Sequence, residues 1–135
     1  PAPSWNHGGV EYKIGQVTLG SLAPLNRVCA AVIPAVVDRL DNGGIDDPAA
    51  IALAIRDGLS VIAESESLTA DFIASLERVA GVPKKVAVSL DLDSLATLAV
   101  EIVRANLGFF VLAIPETVRK RLAEKALIGS GSSSD

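Results

Sequence analysis

Acidic side chains fall in close pairs at Asp46/Asp47, Glu64/Glu66 and Asp91/Asp93. Two carboxyls can share general-acid and general-base work if they converge on a cleft that drives their pKa values apart. Each of these pairs sits at a predicted helix boundary instead. There an acid bonds free backbone N–H groups and favours the positive end of the helix dipole, so capping is the expected role. Cys29 lies on a predicted apolar helix stripe with no basic neighbour to lower its pKa. It reads as a small buried hydrophobe rather than a nucleophile. His7, beside Asn6 and Gly8, reads as a solvated side chain. The serines among residues 130–134 have no base partner to activate them.

The remaining patterns are equally spare in chemistry. Gly15 and Gly20 stand five apart but no lysine follows the second, so no phosphate loop is expected. Arg119, Lys120, Arg121 and Lys125 make the last predicted helix basic. Glu116 and Glu124 dilute that cluster, and a solvated helix is the expected outcome. No catalytic, cofactor-binding or metal-ligating residue is assigned, and a non-enzymatic role is expected. Asn106 has two readings. It is an ordinary C-terminal cap, the favoured one, or a buried amide that needs partners and sets a helix register.

Composition narrows the class. Of 135 residues half are hydrophobic, 4% are aromatic and the net charge is −4. One domain with an aliphatic core is expected. Mild acidity offers no basic face for nucleic acid. A single cysteine cannot make an internal disulfide, which points to a reducing, cytoplasmic setting. One His and one Cys cannot build the familiar His/Cys metal clusters. The opening PAPSWNHGG lacks a basic region and an apolar run, so no secretory leader is expected there. The chain holds no Met, so processing or an upstream segment is expected. Leu95–Ile114 is long enough for a membrane span, but Glu101, Arg104 and Asn106 within it argue against one.

The elements that would position these residues come from periodicity. Residues 1–9 read as a flexible arm. Val10, Tyr12 and Ile14 alternate with Glu11 and Lys13, which predicts a strand. Gly15–Gln16 would turn it and Val17–Leu19 would return. Thr18 or Ser21 would cap a first helix running to about Leu40. Pro24 sits in its first turn, and Pro34 should bend it and free the Ala30 carbonyl. Asp47–Pro48 starts a second helix, to about Glu64. Gly58 lies near its apolar stripe and marks either a tight crossing or an accident of sequence. Thr69 would cap a third helix, Ala70–Ala80, closed by Gly81. Residues 84–89 would connect, in part extended.

Asp91 or Asp93 would cap a long helix through DLDSLATLAVEIVRANLGFFVLAIP. It ends at Asn106–Leu107–Gly108 or runs to about Ala113. On one wheel, Thr97, Glu101, Arg104 and Gly108 form a thin polar stripe. Leu95, Leu98, Ile102, Phe109 and Phe110 oppose it, and Val100, Val103, Leu107 and Val111 fill a flank. A helix so nearly apolar all round is expected to be enclosed. Glu116–Leu127 is a last helix with Val118, Leu122 and Ala126 on a narrow face. Residues 129–135 have linker composition and are expected to be disordered. The whole predicts a mainly α protein: a compact bundle of about five helices with a short N-terminal β-hairpin, its single domain spanning residues 10–128.

Two stretches carry a resemblance. VEYKIGQVTLGSLAPL is similar to the start of small phage proteins of the tail assembly chaperone type, with Thr18–Leu19–Gly20–Ser21–Leu22 leading into the first helix. SLDLDSLATLAVEIVRAN resembles their closing region, ending near Asn106. The likeness spans roughly residues 10–107 and departs at the final basic helix and at the first helix's two prolines. It implies a non-enzymatic protein that binds a long, hydrophobic tape-measure protein during tail assembly and is absent from the finished virion. Many members are also made in a longer, frameshifted form. Apolar grooves between helices would hold amphipathic client segments in passing. The competing expectations are a structural tail or neck component that self-associates, and a helical domain with a small-ligand cavity near Phe109 and Phe110.

Overall fold

Gly8 and Gly9 take positive φ of 58° and 78° and turn the chain in two residues. That geometry matches the right-handed twist of the strands it joins and favours glycine at both positions. It closes an antiparallel hairpin of β1 (Ser4–His7) and β2 (Val10–Lys13), with Trp5 opposite Tyr12. The hairpin was expected one strand later. Val17–Leu19 forms no return strand, and Gly15–Thr18 is a connector instead. Part of the expected arm is therefore β1, and its Trp5 is core. The structure, a computed structural model, describes residues 3–43 and 47–114, with 116, 119, 120 and 124 beyond them.

Six helices come next among the described residues: α1 (Leu19–Gly43), α2 (Pro48–Ala63), α3 (Glu66–Ala80), α4 (Lys84–Ala87), α5 (Leu92–Ala105) and α6 (Leu107–Ala113). The fold is a mainly α bundle with an N-terminal hairpin. At the start of α1 the Thr18 N–H donates to Ser21 Oγ at 2.9 Å, and the Ser21 hydroxyl is closed off from solvent. α1 runs unbroken through Pro34. Asp47 caps α2 by accepting from the Ala49 N–H at 3.0 Å, with Pro48 at the first helical position. Ser65, not Thr69, caps α3, so that helix starts a turn earlier than expected. Thr69 donates instead to the Ile62 carbonyl at 2.9 Å and pins α3 to the end of α2.

Gly81 ends α3 at φ 67°. The Gly81 N–H reaches Glu77 O, the single bond of a left-handed helix end, and the Val82 N–H reaches back to Leu76 O. Val82, the next residue, is fully buried. The expected connector at 84–89 holds the short α4, and Asp91 then caps α5 through the Ser94 N–H at 2.7 Å.

α1, α2 and α3 pack together, with Arg39 paired to Asp57 and Arg27 to Asp71 across the seams. Both Arg27 and Arg39 hold their partner carboxylates below the usual range. A second core joins the hairpin, α3, α4 and α5 around Trp5, Leu76, Val82, Leu98 and Ile102. The α1–α2 crossing is tight at Gly58. A Cβ built there would lie 2.8 Å from Val32 Cγ1 and 3.3 Å from Val36 Cγ2. This explains a glycine that costs about 1 kcal/mol of helix propensity relative to Ala. Gly58→Ala should regain that amount but overpack stiff β-branched neighbours at a cost of about 1–3 kcal/mol. A net loss of about 1 kcal/mol is expected in urea denaturation. In a Val32→Ala background the same change should cost nothing.

Candidate functional site

One residue positions a helix that buries none of its own residues. α5 and α6 are separated by Asn106 alone and meet at 96°. Asn106 is 5% exposed. Its Oδ1 accepts from the Val17 N–H at 2.8 Å, and its Nδ2 donates to the carbonyls of Gly15 at 3.0 Å and Ile102 at 3.1 Å. Beside it Gln16 Nε2 donates to the Ala105 carbonyl at 3.0 Å, and the Gly15 N–H reaches Val79 O at 2.7 Å. The two readings of Asn106 hold together. Its backbone ends α5, with its N–H on Val103 O, while its side chain is a buried and fully partnered amide. The two readings of Gly108 do not: the helix breaks before it, and Gly108 lies inside α6.

The corner overturns the expected enclosure of residues 91–115. A wheel drawn through one straight helix does not describe two helices at a right angle. Leu98, Ile102 and Asn106 are buried, but Val100, Val103, Leu107, Val111 and Leu112 are exposed, Leu112 at 78%. α6 has no buried residue. Between this apolar flank and the α1–α2–α3 layer runs a groove of about 250 Å³. Val32, Val36 and Leu59 line one wall, and Ala99, Val103 and Phe110 the other. Of its polar lining, the Ser75 hydroxyl is already spent on Asp71 O at 2.8 Å. A larger, shallower cleft of about 410 Å³ lies at the corner itself, between Gln16–Leu19 and Ala105–Phe109.

The chemistry-bearing residues are dispersed. Asp47 and Asp91 cap helices, while Glu66 and Asp93 sit in first turns. Asp46 lies outside the described residues. The Asp91 carboxyl is held below its usual range by hydrogen bonds from Ser94, and His7 adds to that. His7 is not a loose arm residue: its ring stacks on Trp5 at 5.2 Å between centroids. Among the described residues no group of three or more His, Cys, Asp and Glu could hold a metal ion. Most of the expected last helix, Arg121 and Lys125 of the basic cluster included, lies outside the described residues; Lys120 pairs with Glu116 at 3.6 Å. Residues 129–135 also lie outside. By length and composition alone α1 could cross a membrane, but the core helix of a soluble protein meets the same test.

Cys29 is buried on the groove wall, and burial pushes its thiol up to about 11. It is therefore neutral at pH 8. A disulfide reagent should label it at the rate of unfolding in native buffer and within seconds in urea. Fast labelling of the native protein would mean that the groove opens to its floor.

Trp5 was missed from the sequence. It is 6% exposed and its Nε1 donates to Thr97 Oγ1 at 3.1 Å, tying the hairpin to α5. The available signal was the Gly8–Gly9 pair between two short alternating stretches. No family model matches the chain, and no curated protein or solved structure matches it either.

Proposed function

We propose that this chain is a non-enzymatic phage morphogenesis factor of the tail assembly chaperone type, working in the host cytoplasm. It holds apolar helical segments of a tape-measure-type client in the groove between α1–α2–α3 and α5–α6. The observation that carries this reading is the exposed apolar flank beside that groove. Val100, Val103, Leu107, Val111 and Leu112 are all exposed on the two helices α5 and α6, with Val103 on the groove wall, and exposed apolar surface concentrated in this way marks interaction sites. The resemblance over residues 10–107 supplies the client class. A client helix would set one apolar face against Val103 and Phe110 and release it when tail-tube subunits compete for the same face.

Coexpression with the tape-measure protein of the same genome tests this. The client should stay soluble and copurify with the chain. Val103→Glu with Phe110→Glu should weaken the complex at least tenfold and leave the helical circular dichroism signal unchanged. Client that aggregates equally with and without the chain would end the proposal.

The same flank favours a second reading, a structural tail or neck component, because a second copy could cover it. Stable rings or tubes of the purified chain in light scattering would favour that reading. The small-ligand alternative has less support: the groove is smaller than most ligand pockets and aims no free polar group inward.

A further inference from the structure

α5 has two apolar faces, and the fold uses one of them. On a wheel for Leu92–Ala105, Leu95, Leu98 and Ile102 form the first face, which packs into the core. Leu92, Ala96, Ala99 and Val103 form the second, with Val100 at its edge. Leu92, Val100 and Val103 on this face are exposed. Beyond Val100 the wheel turns polar, with Asp93 and Arg104 on one flank.

The second face has the spacing of a helix–helix seam. Its residues stand four, three and four apart, so one side of a second helix can follow it along the whole of α5, about 20 Å. That spacing is also its own reverse. When two copies of α5 run antiparallel about a point between residues 97 and 98, Leu92 comes opposite the partner's Val103, and Ala96 opposite the partner's Ala99. The small residues meet at the centre and the large ones at the ends. Two helices that cross at an angle need this arrangement, close in the middle and splayed outward. A face complementary to itself under a half-turn is what a two-fold dimer uses.

The charges choose the same direction. The first turn of α5 carries Asp93 after the capping Asp91, and its last turn carries Arg104. The Arg104 side chain is 68% exposed and gives one N–H to Glu101 at 3.0 Å. A guanidinium has five N–H donors, so a second carboxylate can join. Antiparallel pairing brings Arg104 level with the partner's Asp91 and within a turn of the partner's Asp93, on the flank both side chains share. Parallel pairing would set acid against acid and Arg104 against its own copy. Opposed helix dipoles also favour the antiparallel pair.

We infer that two copies of this chain pair through the outer face of α5, antiparallel, around a two-fold axis near Ala96 and Ala99. One helix face of this length falls short of the about 800 Å² that each partner buries in a standard interface, so the dimer is reversible and depends on concentration. The pairing goes beyond the proposed function: it needs no client and stands without one.

Sedimentation of the full chain over a concentration series should show a monomer–dimer equilibrium. Ala96→Glu should weaken it at least tenfold and leave the helical circular dichroism signal unchanged. Asp93→Arg alone should also weaken it about tenfold, and Asp93→Arg with Arg104→Asp should restore it, because the exchanged charges meet again across the axis. The register is read by cross-linking in a Cys29→Ala background. When chains carrying Leu92→Cys are mixed with chains carrying Val103→Cys under mild oxidation, unlike chains should bond at least tenfold faster than like chains. A protein that stays monomeric throughout, a double charge exchange that restores nothing, or like chains bonding as readily as unlike ones would each overturn the inference.

Discussion

Asn106→Ala should lower the stability of the fold by about 3 kcal/mol, since it leaves one buried and two part-buried backbone groups without this partner, and a fully buried group costs about 1–3 kcal/mol. The mutation strips the Val17 N–H and the Gly15 carbonyl of their partners at once. It also removes the bond to Ile102 O, which lies wholly in the interior. A domain of ordinary stability has only about 5–15 kcal/mol to lose. In urea, with a slope of about 1–3 kcal/mol per molar, the midpoint should fall by more than about 1 M. Asn106→Asp should be at least as damaging. It would aim carboxylate oxygen at two carbonyl oxygens where the amide donated. Gln16→Ala removes a neighbouring but exposed bond and should shift stability by less than about 0.5 kcal/mol. If Asn106→Ala lands within about 1 kcal/mol of the parent, the corner is held by packing and the amide merely fits it.

The same mutation should act on the groove more than on the bundle. The amide bridges the connector before α1 and the corner between α5 and α6, across 89 and 91 residues of sequence. α6 buries no residue of its own, so its direction depends on this junction. A variant that keeps α1–α3 packed but frees α6 would bind hydrophobic dye more strongly before it unfolds.

The features legible in the sequence were local. Asp47–Pro48, Gly81 and Asp91 each announce a helix boundary by side-chain chemistry within three residues, and each stands where expected. At α3 the expected cap, Thr69, is not the one used, because Ser65 four residues earlier is equally competent. Ser65 caps, and Thr69 is drawn to the Ile62 carbonyl by tertiary packing. Gly58 had a cost visible in the sequence but a reason visible only once Val32 stood opposite. The corner at Asn106 was hidden for the same cause. Its partners come from the other end of the chain, and periodicity over residues 91–115 looks alike for one long helix and for two.

Trp5→Ala should be the second large loss, about 3–5 kcal/mol, as for other buried aromatic truncations. Trp5 is 6% exposed, tilts against Tyr12, and joins Leu98 and Ile102 in one core. Trp5→Phe keeps much of that packing but drops the N–H bond to Thr97, so about 1 kcal/mol should go. Thr97→Val should cost a similar amount. The double variant Trp5→Phe/Thr97→Val should cost less than the two losses summed, because they share one bond. Trp5 is the sole tryptophan, so its emission should be blue-shifted in the native state and move red on unfolding. A free N-terminal arm would show solvent-exposed emission and no loss from any of these changes. The hairpin buttresses α5 through Trp5 on Thr97, and Trp5 shares a core with Leu76, Val79 and Ile102 of the groove lining. Weakening it should therefore loosen the wall that carries Val103, and under the proposed function affinity for a client should fall with hairpin stability even though no hairpin residue lines the groove.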